Sequence, residues 1–393
     1  MRALFVVTPD GGHLTPLAPL AWALRGAGHE VLVLGQPDVQ AAAAGAGLSA
    51  ASVGDWYGMT ELIRGSLPYG GRPIEFWGHP SRNGDPGNFA AFWAAHNETV
   101  LAGYLEIARA FGPDLIVADG LEYCSLIMGG LLDVPVVHHR WGVDPLSGTT
   151  RVQAREAHRK LLDAHGLAEL PDPAVVLDPC PPSLQLPDIE PGTPIRHVDS
   201  HGNGALPDWL HQEWVDAGRA TGCRRRVVVS VGRNVLALNG VGMVAGILRA
   251  CGELPGVDAI ATVHKAYREE LGPVPDNVRL IEPTPLNLLL TEHDVVVHHG
   301  GAGTTMSATW RGLPQLVLPQ LADQFAHGQR LTELGAGLTL DEAEDQNNPA
   351  TITAALADLL AEPGFKTAAD ELRHEMAWMP TPAQVVRDLE KLL

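Results

Sequence analysis

Cysteine is scarce in this chain: four residues in 393, Cys124, Cys180, Cys223 and Cys251, with no CxxC pair. That scatter excludes a disulfide framework and a cysteine-based zinc site, and it points to reduced thiols. Positive charge is scarce as well. Lysine and arginine total 27 against 46 aspartates and glutamates, a formal net charge of −19. A nucleic-acid backbone is therefore not an expected partner, since it needs a basic surface. Long apolar runs are also missing. None approaches the roughly 18 residues of a membrane span, and the opening run breaks at Pro9-Asp10, too early for a signal peptide. A cytoplasmic protein with no membrane partner is expected.

What is present is a 45% hydrophobic, 19% charged composition, ordinary for a globular chain of about two or three domains. Short continuous apolar runs, Ala3–Val7, Glu30–Gly35, Pro113–Asp119 and Val134–Arg140, suit strands buried on both faces. Helical stretches separate them, notably "TPLAPLAWALRGAGH" and "LEYCSLIMGGLL". Alternation of this kind predicts a parallel sheet covered by helices. The rhythm breaks over Gly54–Gly87, a Gly- and Pro-rich stretch carrying Trp56, Tyr57, Phe76 and Trp77. It is read as a loop whose aromatics bind a large apolar ligand. Phe89, Phe92 and Trp93 follow on a helix, where core packing is expected.

A second Pro/Gly-rich stretch, Leu177–Pro194, reads as the end of the first domain and a linker, and strand–helix alternation then restarts with "RRRVVVSVG". The division expected is 1–206, 207–374 and a closing amphipathic helix in 375–393. The fold class is α/β, with two doubly wound parallel-sheet domains facing across a cleft.

In the second half, "DVVV" runs into "HHGGAGTT", His298–Thr305, and then into a helix. Ligands of open α/β sheets collect at the carboxyl ends of strands. Glycines there admit close approach, and the free N–H groups of a first helical turn attract anions. A diphosphate fits. The stretch carries no GxGxxG, since Met306 falls where the last glycine belongs, and the chain has no Gly-Lys pair, which excludes a P-loop. Neighbouring strand residues point to opposite faces, so one histidine of each pair, His298/His299 and His138/His139, faces away, and neither pair chelates a metal.

"HHGGAGTT", followed by "GLPQLVLPQLADQ" and "GAG", resembles the nucleotide-sugar signature of family 1 glycosyltransferases. The similarity runs along nearly the whole chain, through "GHLTPLAPLAWALRGAGHEV", "HRWGVDP", "LDPCPPSLQ" and "MPTPAQVVRDLE". It is strongest toward actinobacterial deoxysugar transferases of polyketide antibiotic biosynthesis. The resemblance implies the GT-B fold: two Rossmann-like domains, acceptor-binding then donor-binding, with a last helix returning to the first. It implies that His299, Gly301, Gly303 and Thr304 surround the donor diphosphate and that Asp323 and Gln324 hydrogen-bond the sugar. Pro283 and Thr284 fall where relatives pack on the base, and Pro283 replaces their tryptophan, so backbone contacts are expected. Gly232 and Arg233 match the loop after the first strand of the second domain.

The same resemblance makes His13 the base and Asp119 its orienting partner, each at the end of a strand of the first domain. An aspartate hydrogen-bonded to one ring nitrogen leaves the other free to take a proton. Asp10 is the alternative base or orienting group. The implied reaction is inverting transfer of a deoxysugar, from dTDP or else UDP, to a natural-product aglycone. No prosthetic group or metal is required, and a homodimer is left open. The competing readings are a nucleotide-sugar epimerase or hydrolase of the same fold, and a non-catalytic auxiliary homologue.

Overall fold

The computed structural model describes the chain except Tyr69, residues 80–85, Asn203, residues 218–224 and Glu292, together with the side chains at 86–89, 149, 213–217, 233 and 239. Two compact units result. The first comprises Met1–Gly65, Ser81–Ser200 and His374–Leu393; the second comprises Ser66–Pro80 and His201–Arg373.

The first unit is built on seven parallel strands: β1 (Arg2–Val6), β2 (Glu30–Gly35), β3 (Ala50–Ser52), β4 (Leu115–Asp119), β5 (Val136–His139), β6 (Val175–Asp178) and β7 (Thr193–Pro194). Their order is β3-β2-β1-β4-β5-β6-β7. The buried residues of β1, and those of β4 up to its terminal Asp119, are all apolar, as suits strands covered on both faces. The order reverses between β1 and β4, so the helices after these strands diverge to opposite faces there. The amphipathic helix Pro382–Leu389 completes this unit. Its Thr381/Gln384 capping box fixes its start, and Val385, Val386 and Leu389 are buried in the cluster that holds Leu17, Leu20 and Leu24.

The second unit has six parallel strands: β8 (Arg225–Ser230), β9 (Val257–Thr262), β10 (Val278–Ile281), β11 (Val295–His298), β12 (Gln315–Val317) and β13 (Gly337–Thr339). The order β10-β9-β8-β11-β12-β13 reverses between β8 and β11. Val227, Val229, Val295 and Val297 on these two central strands anchor its core.

Three expectations change in detail. The stretch read as a loop contains two helices, Met59–Ser66 and Pro73–Trp77. The second starts on Pro73, whose ring pre-sets the helical φ, and Glu75 accepts from the Arg72 N–H at 3.1 Å. The stretch read as a domain end and linker is tied into the first sheet: Arg140, just past β5, donates to Asp178 at 2.8 Å and to the Glu190 carbonyl at 2.8 Å. Trp93 is buried as expected, but Phe92 is 36% exposed and meets Tyr57 and Trp93 edge-on. Phe89 has its side chain outside the described residues. Among the described residues, no helix is long and apolar enough to cross a membrane.

Candidate active site

Both switch points carry polar groups that the surrounding chain holds in place. In the first unit, β1 runs on into buried Val7 and Thr8, and β4 ends at Asp119, which is fully buried. Asp119 Oδ2 accepts from the Thr8 N–H at 2.9 Å and from the Thr8 hydroxyl at 3.0 Å, and its other oxygen accepts from the Leu121 N–H at 3.1 Å. Burial pushes this carboxyl up, opposed by His13 and by those hydrogen bonds.

His13 lies on a short turn, Gly11–Leu14, that Asp10 caps by accepting from the Gly12 N–H at 2.7 Å. Asp10 is thus engaged as a helix cap. The His13 ring is about a quarter exposed and lies against Trp141, with ring centroids 4.1 Å apart. Its Nδ1 stands 4.0 Å from Asp119 Oδ1, beyond hydrogen-bond length. The expected direct contact is replaced by Thr8, whose hydroxyl makes a short hydrogen bond to His13 Nδ1 while donating to Asp119. A hydroxyl has one proton to give. With that proton on Asp119, Thr8 accepts from Nδ1–H, and Nε2 is the nitrogen left with a lone pair.

Sequence reasoning missed Thr8, because a threonine after a strand carries no distinguishing signal. It also missed Glu122, three residues past Asp119 and fully buried. Burial and then the Asp119 charge push its carboxyl well above the usual range.

In the second unit the two histidines at the end of β11 separate as expected. His298 is fully buried; its Nε2 meets Gln315 Oε1 at 2.8 Å and its Nδ1 accepts from the Gly300 N–H at 3.0 Å. His299 turns the other way and lies between two glycines. A Cβ on Gly232 would fall 2.9 Å from His299 Cε1, and one on Gly301 would fall 2.4 Å from its Nε2. Gly300, with φ +86°, lies where a Cβ would fall 2.7 Å from the Gln324 carbonyl oxygen. Gly301 is needed for space, and Gly232 and Gly300 both for space and for their positive φ. Burial, with a smaller contribution from His327, lowers the His299 pKa to about 4. The ring is therefore neutral at pH 7, and its Nδ1 is buried without a partner among the described residues.

The helix Ala302–Trp310 begins here with no side chain capping it. Gly303 has open space around it, with His201 at 3.9 Å from a notional Cβ, and Thr304 is buried in the first turn. Thr305 spends its hydroxyl on the Gly301 carbonyl at 3.1 Å. Gly232 caps the short helix Arg233–Asn239 with φ +76°. The side chain of Arg233 lies outside the described residues. Pro283 and Thr284 follow β10, and Thr284 donates to the Glu282 carbonyl at 2.9 Å.

Asp323 and Gln324 follow β12. Gln324 Oε1 accepts from the N–H groups of Gln320 at 2.9 Å and Leu321 at 3.2 Å. That oxygen shapes the turn, and the amide nitrogen is the donor Gln324 has left. The Asp323 carboxylate stands 3.7 Å from His327 Nδ1. Glycine-rich turn, Gly232, Thr284 and Asp323 all stand at the carboxyl ends of parallel strands, the edge at which this architecture binds ligands.

The four aromatics read as one wall are divided. Trp56, 63% exposed, and Tyr57 belong to the first unit, whereas Phe76, 55% exposed, and Trp77 belong to the second. Tyr57 packs edge-on to His96 at 4.7 Å. Its loop is fixed by Asp38, which accepts from the Tyr57 and Gly58 N–H groups, each at 2.9 Å.

Comparison with known proteins gives this arrangement a family. Residues 22–232 match the N-terminal domain, and residues 247–392 the C-terminal domain, of the Erythromycin biosynthesis protein CIII-like model. The chain is 34% identical to the L-demethylnoviosyl transferase of Streptomyces niveus, over 99% of this chain and 97% of that protein. It is 30% identical to the 10-deoxymethynolide desosaminyltransferase of Streptomyces venezuelae, over 100% and 97%. Among solved structures it is similar to Spinosyn Rhamnosyltransferase SpnG, with 38% identity, a TM-score of 0.86 and coverage of 99% and 100%. That protein has also been solved with thymidine diphosphate and with spinosyn aglycone. The chain belongs to the Erythromycin biosynthesis protein CIII-like family and is a glycosyltransferase of the GT-B fold.

Proposed function

We propose that this chain moves a deoxysugar from a dTDP-sugar to a hydroxyl of a polyketide or related aglycone, with inversion at the anomeric carbon. The observation that carries this reading is the Thr8 bridge between His13 and Asp119, which leaves His13 Nε2 as the base. Nε2 takes the acceptor proton as the oxygen forms its bond to the anomeric carbon. The bond from that carbon to the diphosphate oxygen breaks, and its electron pair leaves with dTDP. One displacement means one inversion. The leaving charge falls to the uncapped N–H groups of the helix Ala302–Trp310 and to neutral His299, which offers a hydrogen bond in place of a full charge. Asp323 and the Gln324 amide would hold the sugar, with Gly232, Arg233, Pro283 and Thr284 near the nucleotide. Trp56 and Tyr57 would face the acceptor.

The acceptor half is read as residues 1–206 with the returning helix, and the donor half as 207–374. The thymidine donor is supported by a relative's complex with thymidine diphosphate. The names of the relatives favour transfer over epimerisation or hydrolysis. Incubation with dTDP-rhamnose and a panel of polyketide aglycones tests the reading, with dTDP release and glycoside followed together. A glycoside whose anomeric configuration is opposite to the donor's is expected. dTDP release with free sugar alone would return the hydrolase reading.

A further inference from the structure

The segment Ser66–Pro80 comes from the N-terminal third of the sequence, yet its contacts fall within the second unit. Its anchor is Arg72, only 5% exposed. A guanidinium so buried is costly unless its donors are satisfied. Arg72 Nη1 donates to Gln346 Oε1 at 3.2 Å, and Nη2 donates to Asn347 Oδ1 at 2.9 Å. Glu75 closes the ring, accepting from Arg72 Nε at 3.2 Å and from Asn347 Nδ2 at 3.2 Å.

Gln346, 1% exposed, carries the connection inward. Its oxygen also accepts from Gln320 Nε2 at 2.6 Å, while its own Nε2 donates to the carbonyls of Pro319 at 2.9 Å and Leu340 at 2.8 Å. The Gln320 N–H in turn donates to Gln324 Oε1 at 2.9 Å. A continuous hydrogen-bonded path therefore runs from Arg72 through Gln346 and Gln320 to the turn that carries Asp323. The turn needs holding, because Ala322 adopts φ +52°, a left-handed conformation that costs a non-glycine residue energy. At the far end of the segment, His79 packs edge-on against Phe325 at 4.6 Å, next to Gln324.

We propose that Arg72–His79 is a positioning element for the donor's sugar, with Gln346 the residue through which Arg72 sets the Asp323–Gln324 turn. This rests on the reading of Asp323 and Gln324 as the sugar-contacting pair. The nucleoside diphosphate, held at the glycine-rich turn after β11, does not depend on this path. The variants Arg72→Met and Gln346→Leu are to be compared with wild type by calorimetry against dTDP and against dTDP-rhamnose, with Tm recorded alongside. The expected result is a dTDP affinity within about twofold of wild type and a dTDP-rhamnose affinity weakened ~10-fold, the scale of one lost buried hydrogen bond. Arg72→Lys keeps a cationic donor beside Gln346 and Asn347 and is expected to recover part of the Arg72→Met loss. Asn347→Ala removes only the two outer contacts, to Arg72 and to Glu75, and is expected to weaken dTDP-rhamnose by about two- to threefold, which tests the path even where Gln346→Leu does not fold. Equal losses for both ligands, or an unchanged ratio in folded variants, would overturn the proposal alone. A wild type that binds no dTDP would overturn the dTDP-donor reading and this proposal with it.

Discussion

His13 Nδ1 and Asp119 Oδ1 stand 4.0 Å apart, and the hydroxyl of Thr8 bonds to both side chains. Asp119 therefore acts on the imidazole through Thr8, and the tautomer of His13 depends on a single hydroxyl proton. Thr8→Val keeps the shape of the side chain and leaves the Thr8 N–H on Asp119. It is expected to lower kcat by roughly 10- to 100-fold, within the range general-base catalysis supplies, and to alter the pH profile, with Thr8→Ser restoring most activity. Unchanged turnover in Thr8→Val would remove the bridge from the mechanism.

The glycines around His299 make separable predictions. Gly301→Ala places a methyl 2.4 Å from the ring, so both Tm and dTDP affinity are expected to fall. Gly303 has room for a methyl on the protein side. Gly303→Ala is expected to keep Tm while weakening dTDP by ~10-fold or more, because a diphosphate has to approach that backbone closely. Differential scanning and calorimetry on the two variants separate these outcomes.

The neighbouring histidines should divide stability from binding. His298 bonds buried Gln315 and the Gly300 N–H, so His298→Ala leaves buried groups unpaired. A loss of about 1–3 kcal/mol per unsatisfied group is expected, read from denaturant unfolding. His299→Ala should keep most of that stability and lose dTDP affinity. The opposite pattern would exchange their roles.

Stability should fall in mild acid. Burial lowers the pKa of His138 and His298 to about 3 and of His96, His139, His293 and His299 to about 4. In the unfolded chain each titrates near 6.5. Between those values the unfolded state binds more protons, so stability is complete above about pH 6.5 and is lost as pH falls toward 4. A Tm that drops steeply from pH 7 to pH 5 is expected. A flat profile would show that these rings are protonated in the folded protein.

Much of this was legible in the residues, for physical reasons. Strands covered on both faces are continuous apolar runs, so β1, β2, β4 and β11 could be read directly. Short edge strands such as β3 and β7 bury little and carry no such pattern. The opposite placement of His298 and His299 followed from strand alternation, and the glycine-rich turn from its lack of side chains. The Thr8 bridge and the Arg72–Gln346 contact were not legible. The first depends on an ångström of separation between two side chains, and the second joins residues 274 positions apart. The exposed aromatics Trp56 and Phe76 looked alike in sequence, and only packing assigns them to different units.

The most direct test of the account is His13→Ala, measured for sugar transfer and for dTDP binding on the same preparation. Loss of the base with the donor site intact should lower kcat by at least about 100-fold while the dTDP Kd stays within about twofold of wild type. Undiminished transfer by the variant would contradict the assignment of His13 as the base and, with it, the mechanism built on Thr8 and Asp119.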